Sequence, residues 1–192
     1  QLPMNLLSLI RELQKLGNER AKGVWITSSD MILNFSKILS DGAPETDACI
    51  VTLKCPSQFA SQHGIVFSDV NGRITDIHYC DERFSSLYQS VDVISGVVYL
   101  STRMINSLLD LVVTTPILRC TYQGLDKDMH SLVLSLYFDI LISMSGSTDE
   151  EKYCHGYYSL KYDKTYKDSE PLDADMYQIR KYIYRHLSPM KQ

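Results

Sequence analysis

The sequence predicts a layered α/β domain with a mostly parallel, mixed sheet into which one β-hairpin is inserted. Strand-like segments rich in β-branched residues alternate with helix-like segments along most of the chain, a pattern typical of parallel α/β sheets. Two apolar arms flank Asn71-Gly72, the strongest short-range signal for a tight type I′ hairpin turn. With 44% hydrophobic and 22% charged residues, the 192-residue chain suits one globular domain rather than a disordered one.

The first half of the chain contains a helix, two strands and the hairpin. Leu6, Ile10 and Leu13 recur at helical spacing, which predicts an amphipathic helix that ends near Asn18. Pro56 suits the first turn of a short helix. The predicted elements are a helix over 4–16, strands over 24–27 and 48–55, a short helix over 56–62, and hairpin arms within 63–79.

The second half contains one apolar strand and three helices. The strand ends near Ser101, where Ser101 or Thr102 can cap a helix with Met104, Leu108, Leu109 and Val112 on its apolar face. Residues 131–145 are apolar nearly all round and predict a buried helix, and 174–187 predict a helix that buries Met176, Ile179, Ile183 and Leu187. Residues 146–172 are polar and rich in Tyr, Asp and Lys, which predicts a surface loop or excursion.

Composition excludes several classes of protein. A net charge of −4 without a Lys/Arg cluster argues against nucleic-acid binding, and no apolar run approaches the ~20 residues of a membrane span. The N-terminus lacks the pattern of a signal peptide, and the five cysteines match no zinc spacing, so we expect reduced thiols in a cytoplasmic protein. The chain opens on a helix-like run without a methionine, which suggests a piece of a longer polypeptide, truncated at its N-terminus.

Two Gly-containing pairs between residues 63 and 101 are candidate ligand contacts. Gly96 interrupts an apolar strand, which is costly unless a ligand or another backbone comes close, so Ser95-Gly96 indicates either contact with a ligand or a β-bulge. His63 could hydrogen-bond a ligand while Gly64 lets that ligand approach. Alternatively, this pair only ends a helix and begins a strand.

Two aspartates are candidates for binding a cation or another ligand. Asp30 follows a predicted strand at its carboxyl end, where open α/β sheets bind ligands, so it is either a metal ligand or the N-cap of the next helix. Asp139 interrupts an apolar helix, where a carboxylate is costly unless it is paired, solvated or metal-bound. It is a second cation ligand, an acceptor for a hydroxyl of the ligand, or a structural group that is bonded to backbone or exposed. Lys54 could meet a phosphate, although a solvated lysine is the simpler interpretation.

Five ordered strings carry a resemblance to a known family: GVWITSSDMIL, HGIVFSDVNGRITDI, VISGVVYLS, CTYQGLD and LSLYFDIL. Together they resemble the N-terminal region of animal-type L-fucokinase, which is similar to the fucose-1-phosphate guanylyltransferase (GDP-fucose pyrophosphorylase) domain. The resemblance runs from about residue 23 to 144. It implies a Rossmann-like sugar-nucleotidyltransferase fold and a place in fucose salvage that leads to GDP-fucose.

The resemblance also implies ligands and partners. It implies Mg²⁺ at Asp30, and a sugar phosphate between the hairpin and the glycine-containing strand. The expected substrates are fucose or fucose-1-phosphate and GTP or ATP, and a kinase domain is expected later in the parent chain. The glycine-rich triphosphate loop of such enzymes has no counterpart before Gly23, so we expect it upstream and the isolated piece to be inactive. The alternative is a non-catalytic scaffold or regulatory domain attached to the kinase.

Overall fold

The computed structural model describes residues 6–27, 44–79, 84–112, 136–146, 148–156 and 174–191. Within these ranges, the strands form one sheet and most of the helices pack against one of its faces. In chain order the elements are α1 (Leu6–Leu16), a 3₁₀ turn (Gly17–Lys22), β1 (Val24–Thr27), β2 (Ala48–Pro56), a 3₁₀ helix (Ser57–Gln62), β3 (Gly64–Ser68), β4 (Ile74–Tyr79), α2 (Phe84–Leu87), β5 (Ser90–Leu100), α3 (Thr102–Val112), a π-helical turn (Leu136–Leu141), α4 (Ile142–Met144), α5 (Glu150–Gly156), α6 (Ala174–Leu187) and a final 3₁₀ turn (Ser188–Met190).

The sheet is antiparallel, and the prediction of a mostly parallel sheet is wrong. Strand β5 is central: β2 runs along one of its edges, while β1 and β3 share the other. β3 and β4 form the hairpin. Among the described strands, β3 and β4 are the neighbours that follow each other in the chain, and the short turn between them can join only antiparallel strands, because parallel neighbours need a crossover of about a dozen residues or more. The other strands that pair with β5, namely β1, β2 and β3, all run opposite to it. The α/β class is confirmed, whereas the Rossmann-like detail is not.

The predicted hairpin is confirmed, but its turn is displaced by one residue. The Gly72 N–H donates to the Asp69 carbonyl at 3.0 Å, so the turn is centred on Val70 and Asn71. Gly72 follows it with a φ of 78°. The Asp69 carboxylate accepts the N–H groups of Asn71 and Arg73, both at 2.9 Å. These bonds stabilise a longer loop than the expected two-residue type I′ turn.

The main core lies between the sheet and the helices, and the predicted helix faces are largely confirmed. Ile10 and Leu13 of α1 are buried, as are Ile179, Ile183 and Leu187 of α6. In α3, Met104 and Leu108 are buried as predicted, but Ile105 and Leu111 complete the face and Leu109 is only half-buried. Ser101 caps α3, since its Oγ accepts the Met104 N–H at 3.0 Å. On the opposite face of the sheet, Ile65, Val91 and Val93 form a smaller apolar cluster.

Part of the predicted polar loop can be compared with the structure. Residues 150–156 of the polar segment form α5, whereas 157–173 lie outside the described residues, as does the segment 113–135. Within the described residues, no helix combines the length and the apolar character needed to cross a membrane. Cys49, Cys55 and Cys154 are free thiols, and burial raises the pKa of Cys49.

Candidate functional site

Ser95 and Gly96 form a β-bulge in the central strand. Val51 and Thr52 are consecutive in β2, yet they lie opposite Val97 and Ile94 of β5, so Ser95 and Gly96 have no partners in β2. Gly96 has a φ of 85°, a left-handed conformation that favours glycine. Both residues are buried, and the Ser95 Oγ accepts the Val97 N–H at 3.3 Å. The bulge interpretation of this pair is confirmed, and its contact with a sugar stays a prediction.

The bulge also marks the place where β5 changes partners on its other edge. Ile65 of β3 pairs with Val93 before the bulge, and Thr27 of β1 pairs with Val97 after it. The end of β1 and the start of β3 therefore converge on the bulge. Bulges of this kind are common beside active sites, where they re-aim side chains.

The register brings the two predicted Gly-containing pairs together. His63 lies two residues before Ile65, and Ser95 lies two residues after its partner Val93, so both pairs lie within three residues of the place where β3 joins β5. His63 is half-buried and Gly64 is buried. Asp30 lies outside the described residues, three residues after the end of β1.

Tyr137 connects the bulge to the helical layer. Its hydroxyl donates to the Gly96 carbonyl at 3.3 Å. This residue was missed in the sequence, where it stands in a nearly continuous apolar run. The available signal was its hydroxyl, because a tyrosine in a buried segment usually finds a hydrogen-bond partner for its O–H.

Asp139 lies in the core beside a second charged residue. Its carboxylate Oδ1 is 4.0 Å from Nη2 of Arg180, and the two side chains are 0% and 1% exposed. The Arg180 Nη1 donates to the Tyr153 carbonyl at 3.4 Å, and the Tyr153 hydroxyl donates to the Asp139 carbonyl at 2.8 Å. Arg180 was also missed in the sequence. It lies three residues before Ile183 on the apolar stripe of α6, where a charge requires a buried counterpart.

The surroundings of Asp139 fit an ion pair better than a magnesium site. Magnesium usually keeps several of its waters, whereas Asp139 is enclosed and faces a guanidinium. In the part of the chain that the structure describes, no cluster of three or more His, Cys, Asp or Glu side chains could hold a metal ion. A magnesium ion at Asp30 stays a prediction. Lys54 is exposed and lies opposite Asp92 in the sheet.

Two further ion-pair clusters attach α5 to its neighbours. Asp76 of β4 accepts from His78 at 3.0 Å and from Lys152 of α5 at 3.3 Å. Burial acts to raise the pKa of Asp76, but the hydrogen bond and charge of His78, together with the Lys152 charge and the Ile77 N–H, lower it to about 2. On the other side of α5, Glu150 accepts two hydrogen bonds from the Arg185 guanidinium of α6, at 2.9 and 3.0 Å.

Comparison with known families identifies the chain. The model of the fucose pyrophosphorylase domain matches residues 2–191. The chain belongs to the fucose pyrophosphorylase domain family. The match confirms the pyrophosphorylase-like resemblance and extends it through α6, beyond the motifs that suggested it. No curated protein sequence matches the chain. Membership of this fucose pyrophosphorylase domain family indicates a role in fucose salvage and nucleotide-sugar synthesis.

Proposed function

We propose that this domain binds the sugar phosphate in a nucleotidyl transfer from GTP to fucose-1-phosphate. In this reaction an oxygen of the sugar phosphate attacks the α-phosphorus of GTP. The bond between the α-phosphorus and the bridging oxygen breaks, and GDP-fucose and pyrophosphate are released. The observation that carries the proposal is the convergence of His63-Gly64 and Ser95-Gly96 at one bulge inside a fucose pyrophosphorylase domain.

Each residue at the bulge has a distinct proposed role. Gly64 and Gly96 have no side chains, so a ligand can approach the backbone there. His63 donates a hydrogen bond to the phosphate, and Ser95 lines the same place. Charge-assisted hydrogen bonds of this kind are stronger than neutral ones.

Asp30 is the proposed carboxylate for Mg²⁺. In the sequence it follows Thr27, the last residue of β1, by three residues. When bound, the ion offsets the repulsion between the two anionic phosphates. Asp30 supplies an oxygen ligand of the hard type that this cation prefers.

We also propose that the parent chain is an L-fucokinase of the animal type, located in the cytoplasm, with a kinase domain as the partner of this one. The resemblance in the sequence supports this assignment, which is finer than membership of the family. ATP would then serve the kinase domain, and GTP would serve the transfer reaction.

The test is pyrophosphate release from GTP and fucose-1-phosphate by the full-length protein. Asp30→Ala is expected to lower kcat/KM at least about 100-fold, because the carboxylate that holds the metal is lost. His63→Ala is expected to raise KM for fucose-1-phosphate about 10-fold, the cost of a hydrogen bond to a charged group. Arg73→Ala, an exposed change at the hairpin tip, is the matched control.

Two results would contradict the proposal in different ways. Unchanged turnover in Asp30→Ala would remove Asp30 from the mechanism. A wild-type protein that neither releases pyrophosphate nor binds GTP or fucose-1-phosphate would point to a scaffold for the kinase domain.

A further inference from the structure

The π-helical turn Leu136–Leu141 touches the bulge at one end and the core at the other. At the bulge, the Tyr137 hydroxyl donates to the Gly96 carbonyl at 3.3 Å. Two residues later, Asp139 faces Arg180 of α6 inside the core. π-helical turns within helices are uncommon and are often found at functional sites. One short turn therefore connects the C-terminal helix to the proposed sugar-phosphate site.

The core end of this turn is held from two further elements. Tyr153 of α5 donates to the Asp139 carbonyl at 2.8 Å, and Arg180 lies 4.0 Å from the Asp139 carboxylate. Arg180 also bonds the Tyr153 carbonyl at 3.4 Å and lies 5.8 Å from the centroid of the Tyr153 ring. All three side chains are buried. A turn held at both its carboxylate and its backbone has little freedom to move along its axis or to rotate.

We propose that Asp139 and Arg180 are positioning residues that act through Tyr137 to set the shape of the Ser95-Gly96 bulge. This inference rests on the proposed function, because it assigns a role to the shape of that site. Neither charged side chain is required to touch the substrate. Their pairing holds the π-helical turn, the turn holds the Tyr137 hydroxyl on the Gly96 carbonyl, and that bond holds the bulge in the conformation that receives the sugar phosphate.

The first test needs no ligand and follows the amide resonances of Gly96 and Val97 in the ¹⁵N-labelled full chain. Tyr137→Phe and the neutral double variant Asp139→Asn/Arg180→Met are both expected to shift these resonances. Arg185→Met is the matched control, because Arg185 lies on the same helix but pairs with Glu150 at the surface. A folded double variant whose Gly96 and Val97 resonances stay at the wild-type positions would overturn the proposal.

A second variant keeps this test decisive if the double variant does not fold. Arg180→Lys keeps the positive charge but loses the planar fork that reaches both Asp139 and Tyr153. It is expected to shift the same two resonances in the same direction by a smaller amount. Wild-type positions in Arg180→Lys, together with shifted ones in Tyr137→Phe, would show that the charged pair does not position Tyr137.

The second test separates positioning from a general loss of stability by comparing KM with kcat in the full-length protein. Tyr137→Phe is expected to raise KM for fucose-1-phosphate about 3- to 10-fold with little change in kcat, the effect of one lost hydrogen bond. The neutral double variant is expected to raise KM similarly. Combining all three changes is expected to add no further increase, because residues that act through one contact are not additive. If the increase in KM of the triple variant is the product of the two separate increases, the charged pair does not act through Tyr137 and the proposal is contradicted. An inactive wild-type protein would refute the proposed function. The resonance test would still decide whether Asp139 and Arg180 position Tyr137 at the bulge.

Discussion

Replacing Arg180 with methionine removes one member of a buried ion pair and leaves the other in the core. Methionine has a similar length and no charge, so much of the packing volume is kept while the guanidinium is lost. Asp139 is then left 0% exposed without the cation that lies 4.0 Å away in the wild-type protein. Breaking a buried pair in this way typically costs about 3–5 kcal/mol.

We therefore expect Arg180→Met to lower the free energy of unfolding by about 3–5 kcal/mol. Asp139→Asn in the same protein removes the buried negative charge, so the double variant should lose less, about 1–3 kcal/mol for an imperfectly bonded polar group. If the double variant has a higher free energy of unfolding than Arg180→Met alone, a buried charge rather than lost volume causes the instability.

The assay is urea unfolding followed by far-ultraviolet circular dichroism at pH 7, with linear extrapolation to water. Arg185→Met is the control on the same helix, since its side chain is 63% exposed and its ion pair is screened by solvent. Its unfolding midpoint should stay close to that of the wild type. A loss below about 1 kcal/mol in Arg180→Met, or a double variant no more stable than the single one, would refute the reasoning.

Three further predictions concern the fold. Gly23→Ala would place a Cβ in overlap with the Tyr99 hydroxyl and ring at a φ of 81°, so it should lower the thermal unfolding midpoint more than Gly72→Ala, which has a φ of 78° and open space around it. Equal losses would contradict the predicted clash. Because the folded pKa of Asp76 is lowered to about 2, its contribution to stability is present above pH ~4 and is lost as the pH falls toward 2. The free energy of unfolding of Asp76→Asn should therefore fall less steeply than that of the wild type between pH ~4 and 2. An identical dependence of the two proteins on pH would refute this. Ser101→Ala removes the cap of α3 and should cost about 1 kcal/mol in urea unfolding, and no loss would contradict the capping role.

Local patterns predicted the elements well because their causes are local. β1 begins at Val24 and ends at Thr27 as expected, and α6 ends at Leu187 with Ile179 and Ile183 buried on the predicted face. Strand direction was predicted wrongly, because the alternation of strands and helices along the chain does not determine which strands become neighbours or in which direction they pair. The turn at Gly72 was displaced because the side chain of Asp69 bonds two backbone N–H groups.

The candidate site was predictable only in part. Gly96 stood out because glycine is unfavourable inside an apolar strand, and the structure assigns it to a bulge with a positive φ. The contact of Tyr137 with Gly96 spans 41 residues, so no local pattern could indicate it. Asp139 is conspicuous as a charge within an apolar run, whereas Arg180 lies among other charged residues of α6, and their pairing depends on how α6 packs against the π-helical turn.

The segment from His63 to Ser101 shows what the sequence determines by itself and what only the tertiary structure decides. Its residues alone required a hairpin, a strand that glycine interrupts and a helix cap, because backbone sterics and local hydrogen bonds act over a few residues. Only the tertiary structure decided that β3 and β1 share one edge of β5 and that their ends converge on the bulge. Strand pairing depends on long-range contacts that become favourable only when the whole sheet and its helical layer pack together.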